Sequence, residues 1–427
     1  MTASPRALAP LRSAAYRRLA LSLALSLVAN GSWAVTAVWQ VVALGGGPAE
    51  LSLVTGASAV GTLAMALPGG VLADRVPQRS LLAVVTLLSA VPVGLAACLS
   101  LAGALPLPVL AATGLLGGVA LGLHYPAYSA LVPALLPPEQ LLAANGLEGA
   151  MRPLLYQVTG PALAGLLVAA ASPGAALLAT AAASLAALGC VLGLPRLPVH
   201  RAAGGPAHPA RALLADLREG FAFLLRTRWL LATLLFGSLM LLVTTGPLQV
   251  LTPFVLRERA GGGPVDHAVV LAGFGVGGAL SALAVASRPL PRRYLTATTA
   301  LWAAGCLPLA VLGVATSVPV VVGAAVLAGA GIHGGMTIWG TLLQRRVPPA
   351  LLGRVSSLDF VVSGALVPVS VAAAGPLGEA VGLPAVFLVA GLVPPALAAV
   401  TLVVARLPAD ERAHPLDRPV PEPEGTS

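Results

Sequence analysis

Apolar stretches of about 20 residues recur along this chain from one end to the other, separated by short polar gaps. Each is long enough to cross a hydrocarbon layer about 30 Å thick. Lipid offers no partner to backbone N–H and C=O groups, so such stretches must satisfy their own hydrogen bonds as helices. Only 9% of the 427 residues are charged and 57% are hydrophobic, whereas a soluble domain carries roughly a quarter charged residues. The chain cannot cover a water-facing surface. It is expected to be an all-α polytopic membrane protein.

Twelve transmembrane helices are predicted, at residues 17–43, 51–73, 80–102, 107–129, 142–170, 174–195, 228–255, 267–287, 294–315, 318–343, 355–379 and 383–405. The first run is too long for a signal peptide and reads as a retained span. One long connection, 196–227, opens with the flexible stretch PRLPVHRAAGGPAHPAR. Its second part sets Leu213, Leu214, Leu217, Phe221, Leu224 and Leu225 on one helical face among Arg211, Arg218 and Arg226, which predicts an interfacial helix. The expected organisation is an N-terminal six-helix bundle over 1–195, a linker over 196–227 and a C-terminal six-helix bundle over 228–406. A polar, Pro-rich tail over 407–427 is expected to be disordered.

The net charge is +9, and all 24 basic residues are arginine. With the wealth of Ala, Gly and Pro, this usage reflects GC-rich coding more than phosphate recognition, so nucleic acid is not an expected partner. Arginines mark topology instead. With both termini on one side, the loops of that side hold nearly all of them; only Arg257 and Arg259 fall opposite, and Arg152 lies inside a span. Both termini are therefore expected in the cytoplasm, with the protein in the inner or plasma membrane. Cys98, Cys190 and Cys306 lie in apolar runs far apart. They read as small hydrophobes, with no disulfide or metal framework.

The two halves echo each other. An offset of 211 sets Pro137 of LLPPEQLLAANGLEGA on Pro348 of RVPPALLGRVSSLDFV. Nearly the same offset carries the first span onto the seventh, Gln40 onto Gln249, and the Gly-Leu-His ending at His124 onto the Gly-Ile-His ending at His333. Internal symmetry of this kind is common among transporters.

The segment GVLADRVPQR, from Gly70 to Arg79, resembles the loop between spans two and three of the major facilitator superfamily, matched at Gly70, Leu72, Asp74, Arg75 and Arg79. Pro77 and Gln78 depart from the pattern. GPALAG, with Gly160, Pro161 and Gly165, resembles the superfamily's antiporter motif, with Ala164 in place of one glycine. LRSAAYRRLALSLALSLVANG, LREGFAFLLRTRWL and LLQRRVPPALLGRVSSLD are similar to the macrolide-efflux and enterobactin-exporter branch. Gly118 stands about where drug exporters carry an intramembrane arginine. The resemblance implies two pseudo-symmetric six-helix bundles, alternating access, and a gating loop at Gly70, Asp74, Arg75 and Arg79.

An ionisable group within the bilayer is costly and asks for a partner or a role. Glu148 and Arg152 are four residues apart, on one helical face and within ion-pair reach. The offset of 211 carries Glu148 onto Asp359. A carboxylate desolvated in one conformation and hydrated in another holds its proton differently in each, so Asp359, Glu148 and Arg152 are candidates for proton coupling. The alternative is a capping or ion-pair role near the cytoplasmic face. Candidate cavity residues are Gln40, Tyr125, Tyr156, Gln157, Gln249, His124 and His333, with Trp39, Thr244, Thr245 and Trp339 beside them. Such a weakly polar cavity suits amphiphilic cargo. The glycine run GFGVGGALSALAVA from Gly273 lies inside a span and lacks the Lys-Ser/Thr ending of a phosphate loop, so ATP is not expected. Nor is a cofactor or an enzymatic activity, since no His, Asp and Glu cluster lies at a membrane face. The expected function is efflux of an amphiphilic small molecule in exchange for protons, with membrane lipid as the surrounding partner. Uptake of a small solute, or a non-transporting receptor or scaffold of the same fold, is the alternative.

Overall fold

A computed structural model describes residues 6–66, 68–69, 72, 76–195 and 209–416. The described residues are overwhelmingly helical, and eleven of their helices are long and apolar enough to cross a membrane. Proline opens many of them. Pro48, Pro138, Pro173, Pro264 and Pro349 stand in first turns, where a missing N–H breaks no helical bond. Glycine separates them. Gly45, Gly103, Gly261 and Gly382 take φ values of 77°, 68°, 68° and 82°, a region that costs other residues about 1–2 kcal/mol. All four lie in short turns at the end of the bundle away from the two chain termini, here the far end.

The helices are α1 (Ala14–Ala43), α2 (Pro48–Ala66), α3 (Gln78–Leu101), α4 (Leu107–Leu135), α5 (Pro138–Met151), α6 (Gly160–Ala170) and α7 (Pro173–Leu192). After the connection come α8 (Pro209–Arg226), α9 (Arg228–Gly246), α10 (Thr252–Glu258), α11 (Pro264–Ala286) and α12 (Tyr294–Leu312). The last are α13 (Val318–Arg346), α14 (Pro349–Gly364), α15 (Val367–Val381), α16 (Leu383–Val404) and α17 (Leu407–Ala413). Helix α2 falls where the second span was expected, and Pro77 stands immediately before α3.

One packing pattern occurs twice. Before the connection, α2 runs along α4, α3 packs between α4 and α7, and α1 packs on α7 and α6. After it, α11 runs along α13, α12 packs between α13 and α16, and α9 packs on α16 and α15. Between the halves, α2 lies on α15 and α6 on α11. Glycines let the backbones approach this closely. A Cβ on Gly114, Gly118 or Gly122 would stand 2.6, 2.0 or 2.7 Å from the carbonyl oxygens of Val54, Ser58 and Thr62 on α2. In the second half, Cβ atoms on Gly277 and Gly329 would each stand 2.0 Å from a carbonyl oxygen of the facing helix.

Two wide turns interrupt the ladder. Arg152–Thr159 and Pro247–Leu251 are π-helical. Each contains a proline, Pro153 or Pro247, that supplies no N–H. At the end of each, a threonine hydroxyl reaches back five residues, Thr159 to Leu154 O at 3.0 Å and Thr252, the first residue of α10, to Pro247 O at 3.4 Å.

The tail corrects an expectation. It does not begin disordered at residue 407: α17 docks under the second half, with Leu407 and Glu411 buried. The Glu411 carboxylate accepts from the N–H groups of Leu295 and Thr296 at 2.9 and 3.1 Å and from the Thr296 hydroxyl at 2.7 Å. It thereby closes the open N-terminus of α12. Asp410 pairs with Arg346 at 2.5 Å, and the guanidinium of Arg346 lies 4.5 Å from the Trp229 ring centroid. In the connection, α8 occupies the second part, where Gly220 packs on Leu358 and Glu219 pairs with Arg354. Its leucines 213, 214 and 217 lie outside the described side chains, as do residues 196–208 and 417–427 altogether.

Candidate functional site

A cavity of about 650 Å³ lies between the two halves, within the range of ligand sites. Its wall draws on α1 (Asn30, Trp33), α2 (Ser58, Thr62), α4 (Thr113, His124), α9 (Thr244, Thr245) and α11 (His267, Phe274), among others. The π turns supply the rest of its polarity. One presents Tyr156 and Gln157, the other Leu248 and Gln249. An extra residue in the turn re-aims the side chains that follow. None of the described lining residues is Asp, Glu, Lys or Arg.

The hydroxyl groups of the wall are turned in a particular way. Those of Thr55, Thr62, Thr86, Thr113, Thr180 and Thr244 donate to the carbonyl four residues earlier on their own helices, at 2.6–3.0 Å. Three imidazole and indole nitrogens are left over. His124 Nε2, His267 Nδ1 and Trp39 Nε1 are buried and find no hydrogen-bond partner among the described residues. His124 stacks on Tyr128 at 6.4 Å.

Of the residues expected to line a cavity, His124, Tyr156, Gln157, Thr244, Thr245 and Gln249 do so. Gln40, Tyr125, His333, Trp39 and Trp339 do not. Gln40 is buried and accepts from the Ser100 hydroxyl at 2.7 Å. Tyr125 faces outward, with the Arg152 guanidinium 5.1 Å from its ring centroid. His333 packs edge-on to Phe274 at 5.4 Å, with Nδ1 3.1 Å from Gly329 O. His267 was not expected. It sits at a predicted helix boundary, and only the packing of another helix against it places it in the wall.

The far end of the cavity is shut by helix contacts between the halves. On one side, Gly375 N–H donates to the Ser52 hydroxyl at 2.7 Å and Ala49 N–H to Glu379 at 3.0 Å. On the other, Gly165 of α6 lies on the first turn of α11, where a Cβ would stand 2.8 Å from Pro264 O and 3.1 Å from Ala268 Cβ. Gly160 serves the other face of that strand of chain, against Val28 and Gly31 of α1, and Pro161 joins the cavity wall. In the opposite direction the wall runs out to Tyr156 and Phe360, which are 39% and 63% exposed. The cavity opens toward the terminal end.

The ionisable candidates lie on that open side. Arg152 donates to Glu148 Oε1 from Nη2 at 2.5 Å and from Nε at 3.0 Å. Asp359 meets no cation among the described residues: it accepts from Trp339 Nε1 at 3.3 Å and from the Ser363 hydroxyl at 3.4 Å. Arg79 donates to Leu192 O at 2.5 Å, and Arg18 to Gly193 O at 2.5 Å, so both complement the negative end of α7. Gly70, Asp74 and Arg75 lie outside the described residues.

Two bundles of one packing pattern around a central cavity agree with the sequence comparison, in which residues 19–367 match the Major Facilitator Superfamily. The chain belongs to that superfamily. A member of it is a multi-pass membrane transporter, not an enzyme. Among curated relatives, an uncharacterized MFS-type transporter y4rN of Sinorhizobium fredii is 31% identical over 303 residues, 70% of this chain and 72% of that one. The multidrug efflux pump Tap of Mycolicibacterium fortuitum is 28% identical over 88% and 92% of the two chains. Macrolide efflux protein A of Streptococcus pyogenes is 23% identical over 86% and 90%. Among solved structures, the nucleoside transporter NupG superposes with a TM-score of 0.68 at 15% identity, covering 91% of this chain and 98% of that one. It shares the fold.

Proposed function

We propose that this transporter exports an amphiphilic small molecule by alternating access in exchange for protons, with both termini in the cytoplasm. The observation that carries the reading is the cavity itself: about 650 Å³, walled among the described residues by hydroxyls, amides, imidazoles and apolar side chains with no carboxylate or guanidinium, sealed at one end and open at the other. With the terminal end cytoplasmic, the side the arginine distribution favours, this is the state that loads cargo from inside the cell. The moving bodies are residues 1–195 and 228–406, with 196–227 as the tether. Relatives named as efflux pumps support the direction.

Proton exchange needs a group whose proton affinity differs between the two states. Asp359 suits this better than Glu148, because Arg152 holds Glu148 in an ion pair while Asp359 meets neutral partners among the described residues. The test is accumulation of a panel of fluorescent amphiphiles in cells with and without the protein, repeated after the proton gradient is collapsed. Lower accumulation that is abolished by collapse supports the reading; unchanged accumulation across the panel overturns it. Asp359→Asn is expected to weaken the dependence of transport on the gradient, and cargo uptake into inverted but not right-side-out vesicles is expected for export.

A further inference from the structure

His267 stands in the first turns of α11, 3% exposed, and lines the far part of the cavity. Its Nδ1 has no hydrogen-bond partner among the described residues. Buried polar atoms are normally satisfied, and an unpartnered one at a cavity wall points to a ligand or to another state. The seal of the far end lies on the same turn. Gly165 of α6 packs on Pro264 and Ala268, the residues that flank His267 along the helix.

We infer that His267 is the far-side proton site of the transport cycle, loaded when the far end opens and emptied when α6 closes on α11. The inference rests on the proton-exchange reading above. When the far end is open, water from that side reaches the ring, and Nδ1 takes a proton from it. When Gly165 seats on the first turn of α11, that water is expelled. The imidazolium then holds an Nδ1–H donor with no acceptor, and the ring gives up a proton from Nε2, which is not sealed in, to water in the cavity, which is open to the terminal side. Closing the far end thus delivers one proton inward, and cargo takes its place before the next opening.

Among the described residues of the helices packed on α11, no other ionisable group stands where it could do this. Asp266, next in sequence, accepts from Gly263 N–H at 2.7 Å as a cap. Helix α6 and the facing part of α1, from Val28 to Ala43, carry no ionisable residue. On α10, Arg257 and Glu258 stand at the far surface. The π turn contributes Arg152 and Tyr156, and α13 contributes His333, Arg345 and Arg346. His333 lies against Gly278, about three turns along α11 from His267, and the two arginines lie at the terminal end.

The experiment is transport in reconstituted vesicles with the pH of each side set independently, across about pH 5 to 8 where an imidazole titrates. Wild-type export should rise as the far side is acidified. His267→Gln and His267→Asn should flatten that far-side profile, each normalised to its own maximum, and leave the dependence on terminal-side pH. If the variants keep the wild-type far-side profile, the assignment of His267 fails and proton exchange stands. If wild type shows no dependence on either side, both fail. A measurement on the unsubstituted chain guards against misfolded variants. In protein labelled with ¹⁵N at its six histidines, one ring should titrate only while the far end is free to open. A far end locked shut by cross-linking α2 to α15 should lose that titration, and titration of all six rings in the locked protein would overturn the assignment.

Discussion

Gly118 illustrates how much one missing methyl can decide. A Cβ there would stand 2.0 Å from Ser58 O, well inside any tolerable contact, so the space a side chain would take is filled here by the backbone of α2. Gly118→Val should force the two helices apart at a cost of about 1–3 kcal/mol, seen as a lower melting temperature in detergent. Gln157 and Gln249 were legible in the sequence because an amide inside an apolar span must face something polar. His267 was not, since its position near a predicted boundary gave no sign of the helix that buries it. Gln40 reads like Gln249 in sequence, yet Ser100 reaches it first; which of two equivalent amides meets a cavity is settled by a neighbour from a distant segment.

The helices themselves were largely readable, because the hydrocarbon layer leaves an apolar run little choice of conformation. Their irregularities were not. Each π turn depends on a proline and on a threonine hydroxyl five residues downstream of the carbonyl it meets, a relation that hydropathy averages away. The tail misled for a similar reason. A polar, Pro-rich composition describes 407–427 as a whole, and it hides the single buried carboxylate by which α17 binds. Glu411→Ala removes three hydrogen bonds from a residue only 1% exposed and leaves two N–H groups of α12 unmatched. It should destabilise the protein by about 1–3 kcal/mol, with thermal unfolding as the measure, whereas Glu411→Gln, which keeps an acceptor, should cost less.

For the whole molecule, alternating access makes a demand that can be tested with one covalent bond. A Cβ on Gly56 of α2 would lie 3.5 Å from Ala372 Cβ on α15, at the spacing of a disulfide. With Cys98, Cys190 and Cys306 replaced, a Gly56→Cys and Ala372→Cys pair should stop transport when oxidised and recover on reduction; transport through the oxidised form would mean that this seam never opens. The paired architecture was visible in advance as the offset between halves, while the state of the cavity, shut at one end, was beyond any periodicity. The orientation of the wall hydroxyls has a consequence for what can travel through. Because the threonines spend their protons on their own helices, they offer a passenger mainly lone pairs. A good cargo should therefore bring its own O–H and N–H groups, and masking these by methylation should lower its rate of export even as it makes the compound greasier.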